Sequence, residues 1–76
     1  MQEELTFGVA LERLKRGKLM SRAGWNRIGM WIELQVPDTF SKMKQPYLFI
    51  TPCPRTVVPW VASQADLLAE DWFQLG

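Results

Sequence analysis

Two of the four tryptophans in this chain stand in polar, turn-like stretches, and by type and position they are the residues best suited to chemistry. One is Trp25, in the sequence AGWN, and the other is Trp60, in the sequence VPWVASQ. A turn lies at the surface, where a large ring has little to bury against, so these indoles favour stacking surfaces for a flat ligand. Core or subunit packing is the alternative for both. For Trp31 and Trp72, packing in the core or at a subunit interface is the favoured interpretation.

Residues suited to the other parts of a nucleotide accompany these indoles. An indole covers one face of a base for about 1–3 kcal/mol, and a carboxylate or amide reads the exocyclic amine and ring nitrogens. Phosphates need arginine, lysine or the N–H groups at a helix start. The candidate base-binding residues are Trp25, Asn26, Trp60, Ser63, Gln64 and Asp66, and the candidate phosphate-binding groups are Arg22, Arg27 and the start of a second helix. The other interpretation of the basic residues near the start of the chain, a solvated face of the first helix, is the favoured one.

The residue inventory excludes most catalytic chemistry. The chain has no histidine, so it has no Ser-His-Asp triad, no Cys-His pair and no imidazole base. Cys53 is the only cysteine, so an intramolecular disulfide is impossible and a zinc site would lack ligands. Glu70 and Asp71 are adjacent, and adjacent side chains diverge in direction, which argues against a carboxylate dyad. The sequence therefore predicts a binding protein rather than an enzyme, with no metal and no cofactor.

Length and charge limit the class of protein further. The 76 residues predict one domain, residues 1–76, and domains this small have marginal cores. With no disulfide or metal, association with other copies is the support left. A net charge of +1 argues against binding to long nucleic acids. No apolar run approaches the ~18 residues of a membrane span, and no secretory signal is visible in the sequence, so we expect a cytoplasmic protein.

The elements that must position the candidate residues follow from periodicity and capping signals. Thr6 precedes an apolar face at helical spacing, and Ser63 with Asp66 resembles a capping box. Gly17 suits a left-handed helix end, and Gly24 lets the chain turn sharply before Trp25. The expected elements are a helix over Phe7–Arg16, strands over Lys18–Arg22, Met30–Val36, Tyr47–Thr51 and Arg55–Trp60, a second helix through Leu67, Leu68 and Glu70, and a closing strand over Trp72–Leu75. The predicted fold class is α+β, with the N-terminal helix packed on an antiparallel β-sheet and a second short helix near the C-terminus.

Two motifs of the chain resemble a small phage-encoded family, the anti-Thoeris proteins of the second type. The first motif runs from Thr6-Phe7-Gly8 through Gly17-Lys18 and the sequence RAGWN to Gly29-Met30. The second is VPWVASQADLLAEDW, which begins at Val58. It is long and specific, and the two motifs match in order at both ends of the chain.

The resemblance implies an α+β protomer, a homotetramer built as a dimer of dimers, and ligand pockets between subunits. It also implies a sponge that binds and sequesters immune signalling nucleotides in the host cell cytoplasm without cleaving them. The ligands of the family are cyclic ADP-ribose isomers, notably glycocyclic forms, and some members also hold cyclic oligonucleotides at separate sites. By motif, the adenine-stacking tryptophan corresponds to Trp25, and the contacts of the second motif fall around Trp60 to Asp66.

The middle of the chain departs from the family pattern. The segment from Phe40 to Thr56 is short and contains three prolines, and if it walls a pocket the ligand selectivity differs from that of relatives. Two other classes of function stay open. One is a phage structural or inhibitor protein that binds another protein through exposed aromatic residues, which are typical of interface hot spots. The other is an enzyme that degrades the nucleotide, which the lack of histidine makes the least favoured.

Overall fold

A five-stranded antiparallel sheet and two helices make up the fold, which confirms the predicted α+β class. The structure, a computed structural model, describes residues 3–25, 29–51 and 57–75. The elements in chain order are α1 (Phe7–Lys15), β1 (Leu19–Arg22), β2 (Trp31–Gln35), β3 (Tyr47–Thr51), β4 (Val58–Pro59), α2 (Gln64–Leu68) and β5 (Trp72–Leu75). The strand order is β4-β3-β2-β1-β5. The first strand and the last therefore lie side by side, and β5 forms the edge of the sheet next to β1.

Helix α1 forms because its N-terminus is capped and one of its faces is apolar. The Thr6 hydroxyl accepts a hydrogen bond from the backbone N–H of Val9 at 3.4 Å. Ala10 and Leu14 are fully buried, one turn apart on the face that packs against β1, β2 and β5. Gly17, with φ 86°, follows the helix in the left-handed conformation predicted for it.

The core lies between α1 and the middle of the sheet. Its fully buried side chains are Ala10, Leu14, Met20, Ile32 and Trp72. Met20 and Ile32 are partners across β1 and β2, so both project toward the helix from neighbouring strands. The interpretation of Trp72 as a core residue is confirmed, whereas Trp31 is only partly buried and its indole N–H donates to Glu33 at 2.9 Å.

The structure corrects three local predictions. Helix α2 ends at Leu68, because Ala69 is already extended at φ −67° and ψ 149°, so Glu70 lies outside the helix. The fourth strand covers only Val58–Pro59, although the backbone N–H of Trp60 also donates to the Leu48 carbonyl of β3 at 3.0 Å, and the beginning of the predicted strand falls outside the described residues. Gly24 does not have a positive φ, so this position of the turn does not need a glycine for its conformational freedom.

The outer edge of β5 is covered by the residues that precede α1. Leu5 exchanges two backbone hydrogen bonds with Trp72, of 2.9 and 3.1 Å. Two residues further along, the Glu3 carboxylate accepts the backbone N–H of Gln74 at 3.2 Å and forms an ion pair with Arg13 at 2.7 Å. Polar groups along this edge are thus satisfied within the chain.

Candidate ligand-binding site

Asp66 joins several of the predicted site residues in one polar cluster. It lies in the first turn of α2 and is only 7% exposed. Its Oδ1 accepts hydrogen bonds from Nη1 of Arg22 at 2.8 Å and from the indole Nε1 of Trp25 at 3.1 Å. The end of β1 and the turn after it are thereby tied to the start of α2, elements that are far apart in sequence.

The other oxygen of Asp66 completes the predicted capping box. Oδ2 accepts the backbone N–H of Ser63 at 3.0 Å, while the Ser63 hydroxyl accepts the backbone N–H of Asp66 at 3.1 Å. An Asp in place of the usual Glu or Gln therefore still closes the box. Asp66 thus caps the helix and binds the indole of Trp25 at the same time.

A second carboxylate, Asp71, was not among the predicted site residues. Its Oδ1 accepts from Nε of Arg22 at 2.8 Å, and its Oδ2 accepts the backbone N–H of Gly24 at 2.8 Å. The register of β1 and β5, in which Arg22 pairs with Trp72, brings Asp71 alongside the turn. Sequence reasoning missed this contact because the register of two strands that are distant in sequence cannot be derived from the local pattern.

The charges of this cluster stabilise one another. Burial alone would raise the pKa of Asp66, yet hydrogen bonds from the Ser63 backbone, Arg22 and Trp25 lower that pKa below its ordinary value. The hydrogen bond from Arg22 lowers the pKa of Asp71, with help from the Gly24 N–H. Hydrogen bonds to the two carboxylates, that of Asp71 first, in turn raise the pKa of Arg22. One guanidinium and two carboxylates leave the cluster with a formal charge of −1, so it suits hydrogen-bond donors better than a phosphate.

Four aromatic rings adjoin this polar cluster, with Trp72 at their centre. The Trp25 ring meets Trp72 edge to face, with centroids 5.4 Å apart, and the Trp60 ring does so at 6.0 Å. Phe7 contacts Trp72 at 5.4 Å and Trp60 at 6.1 Å. The buried Trp72 indole N–H donates to the carbonyl of Asp66 at 3.1 Å, which links the rings to the capped helix. Trp25 and Trp60 are half-buried, so both pack on the core and both keep part of their surface accessible.

The remaining predicted residues have different positions. Ser63 and Gln64 are exposed at the start of α2, next to Asp66. Asn26 and Arg27 lie outside the described residues, so their predicted contacts stay predictions. Within the part of the chain that the structure describes, no three metal-ligating side chains come together. No helix among the described residues is long and apolar enough to cross a membrane.

A shallow cleft of about 240 Å³ opens elsewhere, where β2 ends and β3 begins. It is lined by Gln35, Pro37, Ser41, Lys42, Met43 and Tyr47. Sites for small molecules usually measure about 300–1,000 Å³, so this cleft is below the common range. Four of these residues, from Ser41 to Tyr47, lie in the segment from Phe40 to Thr56 that departs from the family pattern.

The fold and the site define a class of small α+β domains that have a capped helix near the C-terminus and two partly accessible tryptophans. The model of the Thoeris anti-defence 2-like domain matches residues 5–75, so the chain belongs to that family. It is also similar to a protein of Bacillus phage SP01 named Thoeris anti-defence 2. The two are 34% identical over 85 residues, and the alignment covers 95% of this chain and 96% of the phage protein. The resemblance seen in the two sequence motifs is thereby confirmed, and family membership supports a role in phage anti-defence.

Proposed function

We propose that this protein binds a signalling nucleotide of the Thoeris defence, a cyclic ADP-ribose isomer, and sequesters it inside the infected host cell without cleaving it. The observation that carries the proposal is the pair of half-buried indoles, Trp25 and Trp60, that meet on the buried Trp72 beside a carboxylate. A base presents a flat face and hydrogen-bonding edges, and this arrangement offers partners for both. Membership in the anti-defence family supports the same reading.

The Trp25 ring is the proposed stacking surface for the purine. Its indole N–H is held by Asp66, and its edge-to-face contact with Trp72 restrains the ring from the core side. A ring that is already oriented loses little conformational freedom when a base stacks on it, which favours tight binding. The second motif contributes Trp60, with the exposed Ser63 hydroxyl and Gln64 amide as hydrogen-bonding groups near it in sequence.

The charge of the cluster decides how phosphates are bound. Arg22 donates from Nε, Nη1 and Nη2 to two carboxylates, so its charge is already balanced. A guanidinium has five N–H donors, and Arg22 keeps some hydrogen-bonding capacity toward a ligand. We therefore assign the main phosphate contact to Arg27 and a supporting part to Arg22.

Binding without turnover fits the side chains that are present. The chain has no histidine to act as a general base. Both carboxylates of the cluster are occupied by Arg22 and by backbone N–H groups, and both have lowered pKa values, since hydrogen bonds stabilise their charged forms. A carboxylate held in this way is a weak proton acceptor.

Exposed apolar side chains support the proposed homotetramer. Phe40 is 94% exposed, Val61 88% and Leu68 78%. Large exposed apolar residues are typical of surfaces that other chains cover, and Val61 lies in the same motif as Trp60. The same side chains also favour the second candidate function, inhibition of another protein by direct contact, for which they would be the binding surface.

Ligand release distinguishes these functions. The purified protein is incubated with cyclic ADP-ribose or its glycocyclic isomer, desalted and heat-denatured, and the released small molecule is identified by mass spectrometry. Release of the intact nucleotide supports sequestration, and release of a cleaved product supports an enzyme. No retained nucleotide, together with a complex formed with a protein of the defence system, supports the inhibitor. Bovine serum albumin treated identically controls for carry-over.

A further inference from the structure

We propose that Asp71 is a positioning residue that fixes the turn carrying Trp25, an inference that rests on the proposed function of that ring. Asp71 contacts three consecutive residues, the last residue of β1 and the first two of the turn that follows it. Its carboxylate accepts from Nε of Arg22 and from the backbone N–H of Gly24, both at 2.8 Å. Its backbone carbonyl accepts the N–H of Ala23 at 3.1 Å. The start of β5 therefore holds the whole segment that leads into the ring.

Gly24 is the steric partner of this contact. A Cβ atom at this position would lie 2.8 Å from Oδ2 of Asp71 and 3.1 Å from Nη2 of Arg22. Both distances are too short for ordinary contacts, so a side chain here would displace the carboxylate or the guanidinium. Because Gly24 has no positive φ, close approach is what requires a glycine here. The glycine of the motif RAGWN thus leaves room for the carboxylate of Asp71.

Asp66 binds the indole end of Trp25 directly, whereas Asp71 acts on its backbone end through the turn. The backbone N–H of Trp25 donates to the Arg22 carbonyl at 3.2 Å, inside the turn that Asp71 fixes. The indole N–H at the far end of the side chain donates to Asp66 at 3.1 Å. Loss of the Asp71 contacts frees the backbone end while the indole contact stays. The ring then samples more orientations, and a ligand must order it on binding.

Fluorine NMR of protein labelled with 5-fluorotryptophan tests this directly. Asp71→Asn replaces one acceptor oxygen by an NH₂ donor, so either Arg22 or the Gly24 N–H loses its partner. Gly24→Ala perturbs the same contact from the opposite side. In both variants we expect the Trp25 resonance, assigned with Trp25→Phe, to shift or broaden while the Trp31 resonance stays in place. Glu70→Gln, a neutralised acid next to Asp71 in sequence, is the matched control and leaves all four resonances unchanged.

Calorimetric titration with cyclic ADP-ribose gives the functional measurement. We expect both variants to bind up to about tenfold more weakly than wild type, the loss that corresponds to ordering one side chain on binding. An unchanged Trp25 resonance in both variants overturns the proposal, as does a joint shift of all four resonances, which reports a global change. Failure of the wild-type protein to bind any cyclic ADP-ribose isomer overturns the proposed ligand instead, because the NMR arm decides the positioning of Trp25 without a ligand.

Discussion

Replacing Asp66 by alanine tests the central contact of the site. The substitution removes two kinds of interaction: the capping box of α2, formed with Ser63, and the hydrogen bonds to Arg22 and Trp25. A lost helix cap costs about 1 kcal/mol, and hydrogen bonds to a charged group contribute about 1.5–3 kcal/mol. Arg22 keeps Asp71 as a partner, so the full cost of an unpaired buried charge does not apply. We expect Asp66→Ala to lower the free energy of unfolding by about 3 kcal/mol.

The assay is urea unfolding followed by far-UV circular dichroism, which does not depend on the altered environment of Trp25. A domain of this length has a total stability of about 4–11 kcal/mol, so the expected loss is a large fraction of it. Ser63→Ala removes the hydroxyl side of the cap and is expected to cost about 1 kcal/mol. Glu70→Ala, an exposed acid just beyond the same helix, is expected to change stability by less than about 0.5 kcal/mol.

The difference between the first two variants measures the cluster itself. If Asp66 tied Arg22 and Trp25 to α2 with no effect on stability, Asp66→Ala and Ser63→Ala would unfold at the same urea concentration. That result would refute the reasoning, since it would leave the helix cap as the only energetic contribution of a carboxylate that is only 7% exposed.

Three further predictions follow from the same contacts. Trp25→Phe keeps an aromatic ring on Trp72 but loses the hydrogen bond to Asp66, so we expect a folded protein whose affinity for cyclic ADP-ribose falls by about tenfold by calorimetry; Trp31→Phe is the control, and equal losses in both would contradict the assignment of Trp25. Trp72→Ala removes the ring that is 0% exposed at the centre of the aromatic cluster, and we expect a loss of about 3–5 kcal/mol and no cooperative thermal transition; a sharp transition near that of wild type would show that the other rings close the gap. The pKa values of Asp66 and Asp71 in the folded state lie below their ordinary value of 3.8, so between the lowered and the ordinary pKa the folded state binds fewer protons than the unfolded state. The stability that the two carboxylates contribute is therefore present above about pH 4 and is lost as the pH falls through the lowered pKa values. Acid unfolding curves of wild type and Asp66→Asn that coincide would rule this out.

Local signals in the sequence suffice to predict most of the elements of the fold. The Thr6 cap, the spacing of Ala10 and Leu14 and the Ser63 capping box each act within a few residues, so they appear directly in the pattern. The predicted second helix extends too far, because Ala69 already has an extended backbone and no Gly or Pro marks this end of the helix in the sequence.

The site was only partly predictable for the same physical reason. Trp25, Arg22 and Asp66 were selected by residue type, and the structure brings these three together. Asp71 was missed because its contacts depend on the register of β1 against β5, which no local pattern contains. For Gly24 the sequence predicts a conformational role, whereas the structure shows a spatial one, because a Cβ atom there would meet the Asp71 carboxylate.

The covered edge of β5 also limits how copies of this chain could assemble. An open-ended ribbon or fibril of sheets grows only if each molecule offers two free edges, one to each neighbour. Leu5 and Glu3 already occupy hydrogen-bonding groups of β5 at Trp72 and Gln74. Pairing through the β4 side alone would therefore stop at two molecules, and a larger complex would need contacts other than strand pairing. Should copies of this chain pair by strand addition, the covered edge of β5 would end the series at a dimer.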